Sequence, residues 1–149
     1  MIDHKRPTTL KKRYRVGNKT LLRVRHLRQH RISEALQRTA IERVLEVISK
    51  VDLVVLSDFN YGVLTQQLVD EIAEECQRRN VMMVADSQSS SQVGDVSRFK
   101  GAKLLTPTER EARIALGNYD DGLVVIAEKL RRKANAENIV ITLGAEGIL

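Results

Sequence analysis

The 149-residue sequence has one cysteine, two prolines, no tryptophan and only 3% aromatic residues. Cys76 has no second thiol to pair with, which excludes an internal disulfide framework and a cysteine-built metal site. Two prolines and eight glycines exclude a collagen-like or low-complexity chain. No apolar run approaches the ~20 residues needed to cross a bilayer, and the opening MIDHKRPTTL lacks the apolar stretch of a secretion signal. The two commonest nucleotide signatures, Gly-x-x-x-x-Gly-Lys-Ser/Thr and Gly-x-Gly-x-x-Gly, are missing too. What is present, 42% apolar and 30% charged residues, suits a single cytoplasmic α/β domain with a core.

The net charge of +6 conceals a division. Residues 1–31 hold eleven Lys or Arg against one acid, Asp3, whereas residues 32–149 hold fourteen bases against eighteen acids. A local cationic segment attracts nucleic acid, anionic lipid and phosphorylated small molecules through the same Coulomb term, so charge alone leaves the three open. Tyr14 is the only aromatic in the basic strands, which argues against single-stranded nucleic acid because its bases want stacking platforms. His4, His26 and His30 are spaced with neither carboxylates nor cysteine as a metal site requires, and read as surface residues.

Across residues 11–26, KKRYRV and KTLLRVRH flank Gly17-Asn18. This pattern predicts a β-hairpin with Tyr14, Val16, Leu22 and Val24 alternating against Lys and Arg. Such a basic face suits a lid over an anionic ligand, and a solvated edge hairpin fits the same pattern. From Ser33 the period becomes helical, with Leu36, Ile41, Val44, Leu45 and Ile48 on one stripe. The run 51–56, apolar and β-branched but for Asp52, predicts a strand buried on both faces. A second helix over 64–79 puts Leu64, Leu68, Ile72 and Cys76 at fourfold spacing, which makes Cys76 a core residue. Residues 81–85, 103–105 and 139–143 read as further strands, with helices near 107–116 and 121–135. The alternation predicts a parallel sheet packed with helices, whose ligands bind at the carboxyl ends of the strands. The tips in question are 57–62, 86–91, 106–111 and 142–147.

Those tips carry the candidate chemistry. Asp58 follows a strand directly and is placed either to bind sugar hydroxyls or to cap the helix starting near Thr65. In TPTERE, residues 106–111, Thr106 and Glu109 form a capping box around Pro107. TLGAEG, residues 142–147, sets a hydroxyl and two glycines after the last strand, where backbone can approach a ligand closely.

Segment 56–64, LSDFNYGVL, resembles the LSDYGKGVL-like segment of the ribokinase-like (PfkB-type) carbohydrate kinases. Within them it is most similar to the kinase domain of the bifunctional ADP-heptose synthases, which phosphorylates a heptose 7-phosphate. Segment 6–26, RPTTLKKRYRVGNKTLLRVRH, is similar to that family's PTTxKTR and QQLLRVD segments. Segment 84–109, VADSQSSSQVGDVSRFKGAKLLTPTE, is similar to its VDPKG and RYRGATLLTPN stretch. The sequence departs from the pattern at Asn60 and Tyr61, at Ser87 and Gln88, and at Thr108, which replaces the Asn of an Asn-x-x-Glu motif. The resemblance implies a ribokinase-like three-layer sandwich with a mostly parallel central sheet, of which residues 32–149 are a partial core and residues 1–31 a lid-like hairpin. It implies ATP as phosphoryl donor, Mg2+ as cofactor and a phosphorylated sugar as substrate. Carried over position by position, Arg13, Arg23 and Asp58 face the sugar, Thr142, Gly144 and Gly147 the nucleotide, and Glu111 the metal shell. The family's early glycine pair and its late Gly-Ala-Gly-Asp helix start, whose Asp is the general base, are absent. The resemblance therefore covers a middle section, and the isolated chain is expected to be inactive, with a homodimer or a complementing kinase segment as protein partner. Neither nucleic acid nor a membrane is expected.

Overall fold

A computed structural model describes residues 3, 5–26, 28, 30–87 and 94–149 of the chain. It contains a two-stranded antiparallel ribbon and a separate four-stranded parallel sheet. The ribbon joins β1 (Leu10–Val16) to β2 (Lys19–His26) through a turn in which Gly17 takes φ +53°. Its register sets Tyr14 opposite Leu22 and Lys12 opposite Val24, and Lys11 opposite Arg25 and Arg13 opposite Arg23. Since side chains alternate with a period of two, the second set of pairs gathers four cations on one face.

In the rest of the chain, α1 (Glu34–Ile48) starts at Ser33, whose Oγ accepts from the Leu36 N–H at 3.3 Å. Next come β3 (Leu53–Asp58), α2 (Gln66–Arg79) and β4 (Met82–Ser87). A 3-10 turn at Val96–Arg98 leads to β5 (Leu104–Leu105), α3 (Glu109–Leu116), α4 (Leu123–Ala134) and β6 (Asn138–Ile139). Asn80 and Asn135 end α2 and α4 in left-handed conformations at φ +56° and +49°, a geometry that Asn tolerates and that satisfies the last carbonyls.

The strand order β3-β4-β5-β6 follows the chain, every pair parallel. With right-handed crossovers, a sheet that always grows in one direction receives its connecting helices on one face. One core results. Ile41 and Ile48 of α1, Val69 and Ile72 of α2, Ala112 of α3 and Ile126 and Leu130 of α4 cluster on Leu56, Met83, Ala85 and Leu105. Cys76 lies in the same cluster, and burial raises its thiol pKa, as suits a small core residue.

The parallel α/β architecture and the preceding hairpin are as the sequence predicts, and of the sandwich the described residues form the sheet and one helical layer. Two details differ. β3 is buried on one face only: Val54, Leu56 and Asp58 point inward, whereas Leu53, Val55 and, on the neighbouring strand, Met82 are exposed. Its position at the sheet edge, with the helices all on the opposite side, is the reason. The fourth strand spans Asn138–Ile139 rather than 139–143, because the chain then turns back on itself: Ile141 and Leu149 exchange two backbone hydrogen bonds, of 2.8 and 2.9 Å.

Candidate active site

The carboxyl ends of the four strands carry the candidate site, in two groups. Between β3 and β6 lie three strand spacings, about 14 Å at the ~4.8 Å separation of paired strands.

At the β3 end the ribbon lies over the loop 59–64. A cleft of about 180 Å³ is lined by Lys11, Lys12, Arg13, Arg23, Val24, Arg25, Phe59 and Tyr61. Arg13 and Arg23, expected to face one ligand, are direct cross-strand partners here. Five lining residues are cationic and none is acidic, and no ion pair engages any of the five among the described residues. Unneutralised like charges at cross-strand distance repel, so the face is electrostatically primed for an anion.

Beneath this cleft, Asp58 is tied into the protein. It is 5% exposed, and both of its carboxylate oxygens are engaged inside the protein. Oδ2 accepts from Arg98 Nη2 at 2.7 Å, and Oδ1 accepts from the Asn60 N–H at 2.9 Å. The same Arg98 nitrogen donates to the Leu64 carbonyl at 3.0 Å, and the guanidinium lies 4.5 Å from the Phe99 ring centroid. A carboxylate this buried requires a countercharge, and Arg98 provides it from 40 positions away in sequence. Asp58 therefore holds the loop's shape. Asn60, at φ +57°, donates from Nδ2 to Ser87 Oγ at 3.2 Å, which ties the β3 and β4 tips together.

At the β5–β6 end, Thr108 is the N-cap of α3, and its capping-box partner is Glu111. Glu111 Oε2 accepts from the Thr108 N–H at 2.8 Å and from its hydroxyl at 2.9 Å, while the Glu111 N–H donates to Thr108 Oγ1 at 3.3 Å. The expected box of Thr106 and Glu109 is displaced by two residues. TPTERE contains the Thr-x-x-Glu spacing twice, and a parallel bridge between Thr108 and Thr142 keeps Thr108 extended, so the helix starts after it. Thr106 instead donates to Asp86 Oδ1 at 3.2 Å, and Glu109 pairs with Arg113 at 2.8 Å.

The bridge also brings Thr142 next to the Thr108–Glu111 cap, so two residues assigned from the resemblance to nucleotide and metal are neighbours. Gly144 and Gly147 sit in the following turn at φ +64° and +104°, both with open space where a side chain would stand. For a cation the fit is poorer. Glu111 is 7% exposed with Oε2 committed to the cap, and no group of three potential ligands exists among the described residues. Of the tip 86–91, residues 88–91 lie outside the described residues, Gln88 among them, and so does His4. His26 and His30 are exposed.

Sequence reasoning placed the tip 57–62 and the basic hairpin at the site but did not single out Lys11, Arg25 or Phe59 as lining it, and it missed Arg98. The turn alone does not announce Arg25: a register shift between Tyr14 and Arg15 moves it from the position opposite Leu10 to the one opposite Lys11. Nothing local announces Arg98. A larger groove, about 720 Å³, lies at the amino ends of β4 and β5 around Asn80, Lys103 and Asn135. It is at the wrong end of a parallel sheet for the usual ligand site, and its Lys103 is neutralised by Glu137 at 2.6 Å.

Comparison with known proteins bears on this arrangement. The bifunctional protein HldE of Desulfatibacillum aliphaticivorans is 34% identical over 151 residues, which cover 99% of this chain and 30% of that protein. The protein of the same name from Wolinella succinogenes is 33% identical over 146 residues, covering 96% of this chain and again 30% of the relative. The chain thus spans about a third of the length of these relatives. Among solved structures, Escherichia coli phosphofructokinase-2 in complex with potassium superposes with a TM-score of 0.65 at 18% identity, over 86% of this chain and 42% of that one. Pyridoxal kinase from Lactobacillus plantarum gives 0.54 at 16% identity, over 95% of this chain and 55% of that one. These likenesses establish a fold shared with kinases. The model of the pfkB family of carbohydrate kinases matches residues 2–149, and the chain belongs to that family.

Proposed function

We propose that this chain is a sugar-binding part of an ATP-dependent kinase whose substrate is a phosphorylated sugar, a heptose 7-phosphate. The observation that carries the reading is the cleft over the end of β3, whose five cations make no ion pair among the described residues. At about 180 Å³ it is smaller than the ~300–1,000 Å³ of typical small-molecule pockets, so it suits one phosphorylated end of a compact ligand better than a run of nucleotides. Arg13 and Arg23 present paired guanidinium forks, the geometry that grips phosphate oxygens with two parallel hydrogen bonds.

The nucleotide belongs, in this proposal, at the Thr142–Gly147 turn, where the exposed backbone of Gly144 and Gly147 allows close approach of phosphates. Bound ATP supplies the γ-phosphoryl group. This chain's residues hold the acceptor sugar by its phosphate at one end of the strand row and leave its free hydroxyl toward the other. Catalysis of this class rests on positioning and charge neutralisation. Among the described residues no three His, Cys, Asp or Glu side chains gather as Mg2+ would need for a protein-built site, and Glu111 acts as a cap first. The general base belongs to the Gly-Ala-Gly-Asp segment absent from this sequence, so the 149 residues are proposed to bind without turning over. The cytoplasm is the proposed compartment, in keeping with a sole, buried cysteine.

Calorimetric titration tests this directly. A heptose 7-phosphate should bind more tightly than the unphosphorylated heptose, and Arg13→Ala with Arg23→Ala should abolish the difference. Binding of an oligonucleotide with a steep salt dependence, and no response to the sugar phosphate, would instead make the cleft a nucleic-acid module.

A further inference from the structure

Among the described residues, the cleft cation Lys11 has an aromatic partner. Its Nζ lies 5.0 Å from the centroid of the Phe59 ring and 5.4 Å from that of Tyr61. The two rings stack on each other, with centroids 6.0 Å apart and planes at 27°. No acid lines the cleft, and the ring faces offer this ammonium an electron-rich surface.

The loop that presents the rings is braced from four directions. Asp58 at its start is held by Arg98, and Asn60, between the two rings, is tied to Ser87. The Arg6 guanidinium donates to the Tyr61 carbonyl and also to that of His30. Gly62 packs so closely on the His30 carbonyl that a Cβ would lie 2.4 Å from its oxygen. Lys11, in contrast, projects from a two-stranded ribbon with exposed neighbours, and left alone its long side chain would swing away from Lys12, Arg13, Arg23 and Arg25. Ring faces restrain an ammonium without consuming its N–H donors in hydrogen bonds, which a carboxylate partner would do.

We propose that Phe59 and Tyr61 are positioning residues that hold the Lys11 ammonium inside the cleft as a donor to the ligand's phosphoryl group. The proposal rests on the reading of the cleft as a phosphoryl-binding site. It makes Lys11 the closing contact between the ribbon and the β3 tip, and it gives the aromatic pair a task other than stacking on the ligand.

Two measurements on the full chain test it. In the unliganded wild type, ring currents should move the Lys11 ε-methylene protons upfield of those of the other lysines, with Lys11→Arg supplying the assignment. A Lys11 signal at the ordinary position overturns the proposal whatever the variants do. In calorimetric titrations with a heptose 7-phosphate and with inorganic phosphate, Tyr61→Leu and Phe59→Leu should each weaken binding about two- to fivefold, the scale of an exposed cation–π contact. Tyr61→Phe should restore it. Adding Tyr61→Leu to Lys11→Ala should cost nothing beyond Lys11→Ala alone. Undiminished binding in Tyr61→Leu, with loss in Lys11→Ala, overturns the positioning role and leaves the phosphoryl site standing. Failure of the wild type to bind either probe overturns both readings.

Discussion

Replacing Asp58 by Asn removes one charge and almost no volume, which makes it the cleanest way to distinguish a loop-holding carboxylate from a sugar ligand. Removing one partner of a buried ion pair costs about 3–5 kcal/mol when the other charge is left stranded. Two features lower the figure here. The Arg98 side chain is 16% exposed and retains some access to water, and an Asn carbonyl still accepts from the Asn60 N–H. The expected loss is therefore about 2–3 kcal/mol, read as a fall of roughly 5–10 °C in Tm for a domain of this size. Urea unfolding followed by circular dichroism measures it. Arg98→Met should lose a comparable amount, and the double variant should lose less than the two single losses added together, because neither charge is then left alone. If Asp58→Asn changes stability by less than about 0.5 kcal/mol while sugar-phosphate binding disappears, the carboxylate is a ligand and the structural role is wrong.

Other expectations concern the cap, the close-packed glycine, pH and the bare sheet face. Thr108→Ala and Glu111→Ala should each cost about 0.5–2 kcal/mol, whereas Glu109→Ala should lose only the ~0.3–0.5 kcal/mol of its pair with Arg113; equal losses at 109 and 111 in urea unfolding would contradict the assigned helix start. Gly101→Ala, with open space at φ +72°, should cost about 1–2 kcal/mol of backbone strain, and Gly62→Ala, aimed at the His30 carbonyl, distinctly more; similar Tm values for the two would show that the approach at 62 is not tight. Hydrogen bonds from Arg78 and Arg79 hold Glu75 down to about 2, and those from Arg131 and Arg132 hold Glu128 down to about 2, against an ordinary 4.5. Carboxylates lowered in the folded state stabilise above the unfolded pKa and lose that contribution as pH falls through the folded one, so the urea midpoint should drop between 4.5 and about 2, and Glu75→Gln with Glu128→Gln should flatten the slope. Val55, 60% exposed beside Leu53 and Met82, should drive self-association that Val55→Lys relieves without loss of stability; wild type and variant sedimenting alike would refute this.

Periodicity made the core legible. The stripe Ile41–Ile48 and the fourfold series ending at Cys76 lie where their spacing puts them, because burial on a helix face is a local property of sequence. What local pattern cannot state is which face of an edge strand finds no helix, and so the exposure of Val55 went unread. The same limit governs the site. Arg13 and Arg23 came from the family resemblance, and their pairing depends on a register shift between Tyr14 and Arg15 that the turn signal does not state; the aromatic floor depends on how the ribbon docks on a loop some forty residues away. TPTERE shows a different kind of failure: two overlapping copies of one capping signal are locally equivalent, and a tertiary bridge from Thr142 selects between them. For Asp58 the sequence left a sugar contact or a helix cap open; the cap is Thr65, and the ion pair to Arg98 could not be read because that residue is distant in sequence and carries no motif of its own.

The binding claim is tested most directly by mapping backbone amide shifts in the intact 149-residue chain as a heptose 7-phosphate is added. The largest perturbations should fall on Lys11–Arg13, Arg23–Arg25 and Phe59–Gly62, the two walls and the floor of the cationic cleft. Perturbations centred instead on Asn80, Lys103 and Asn135 at the opposite end of the sheet, or none at saturating ligand, would contradict it.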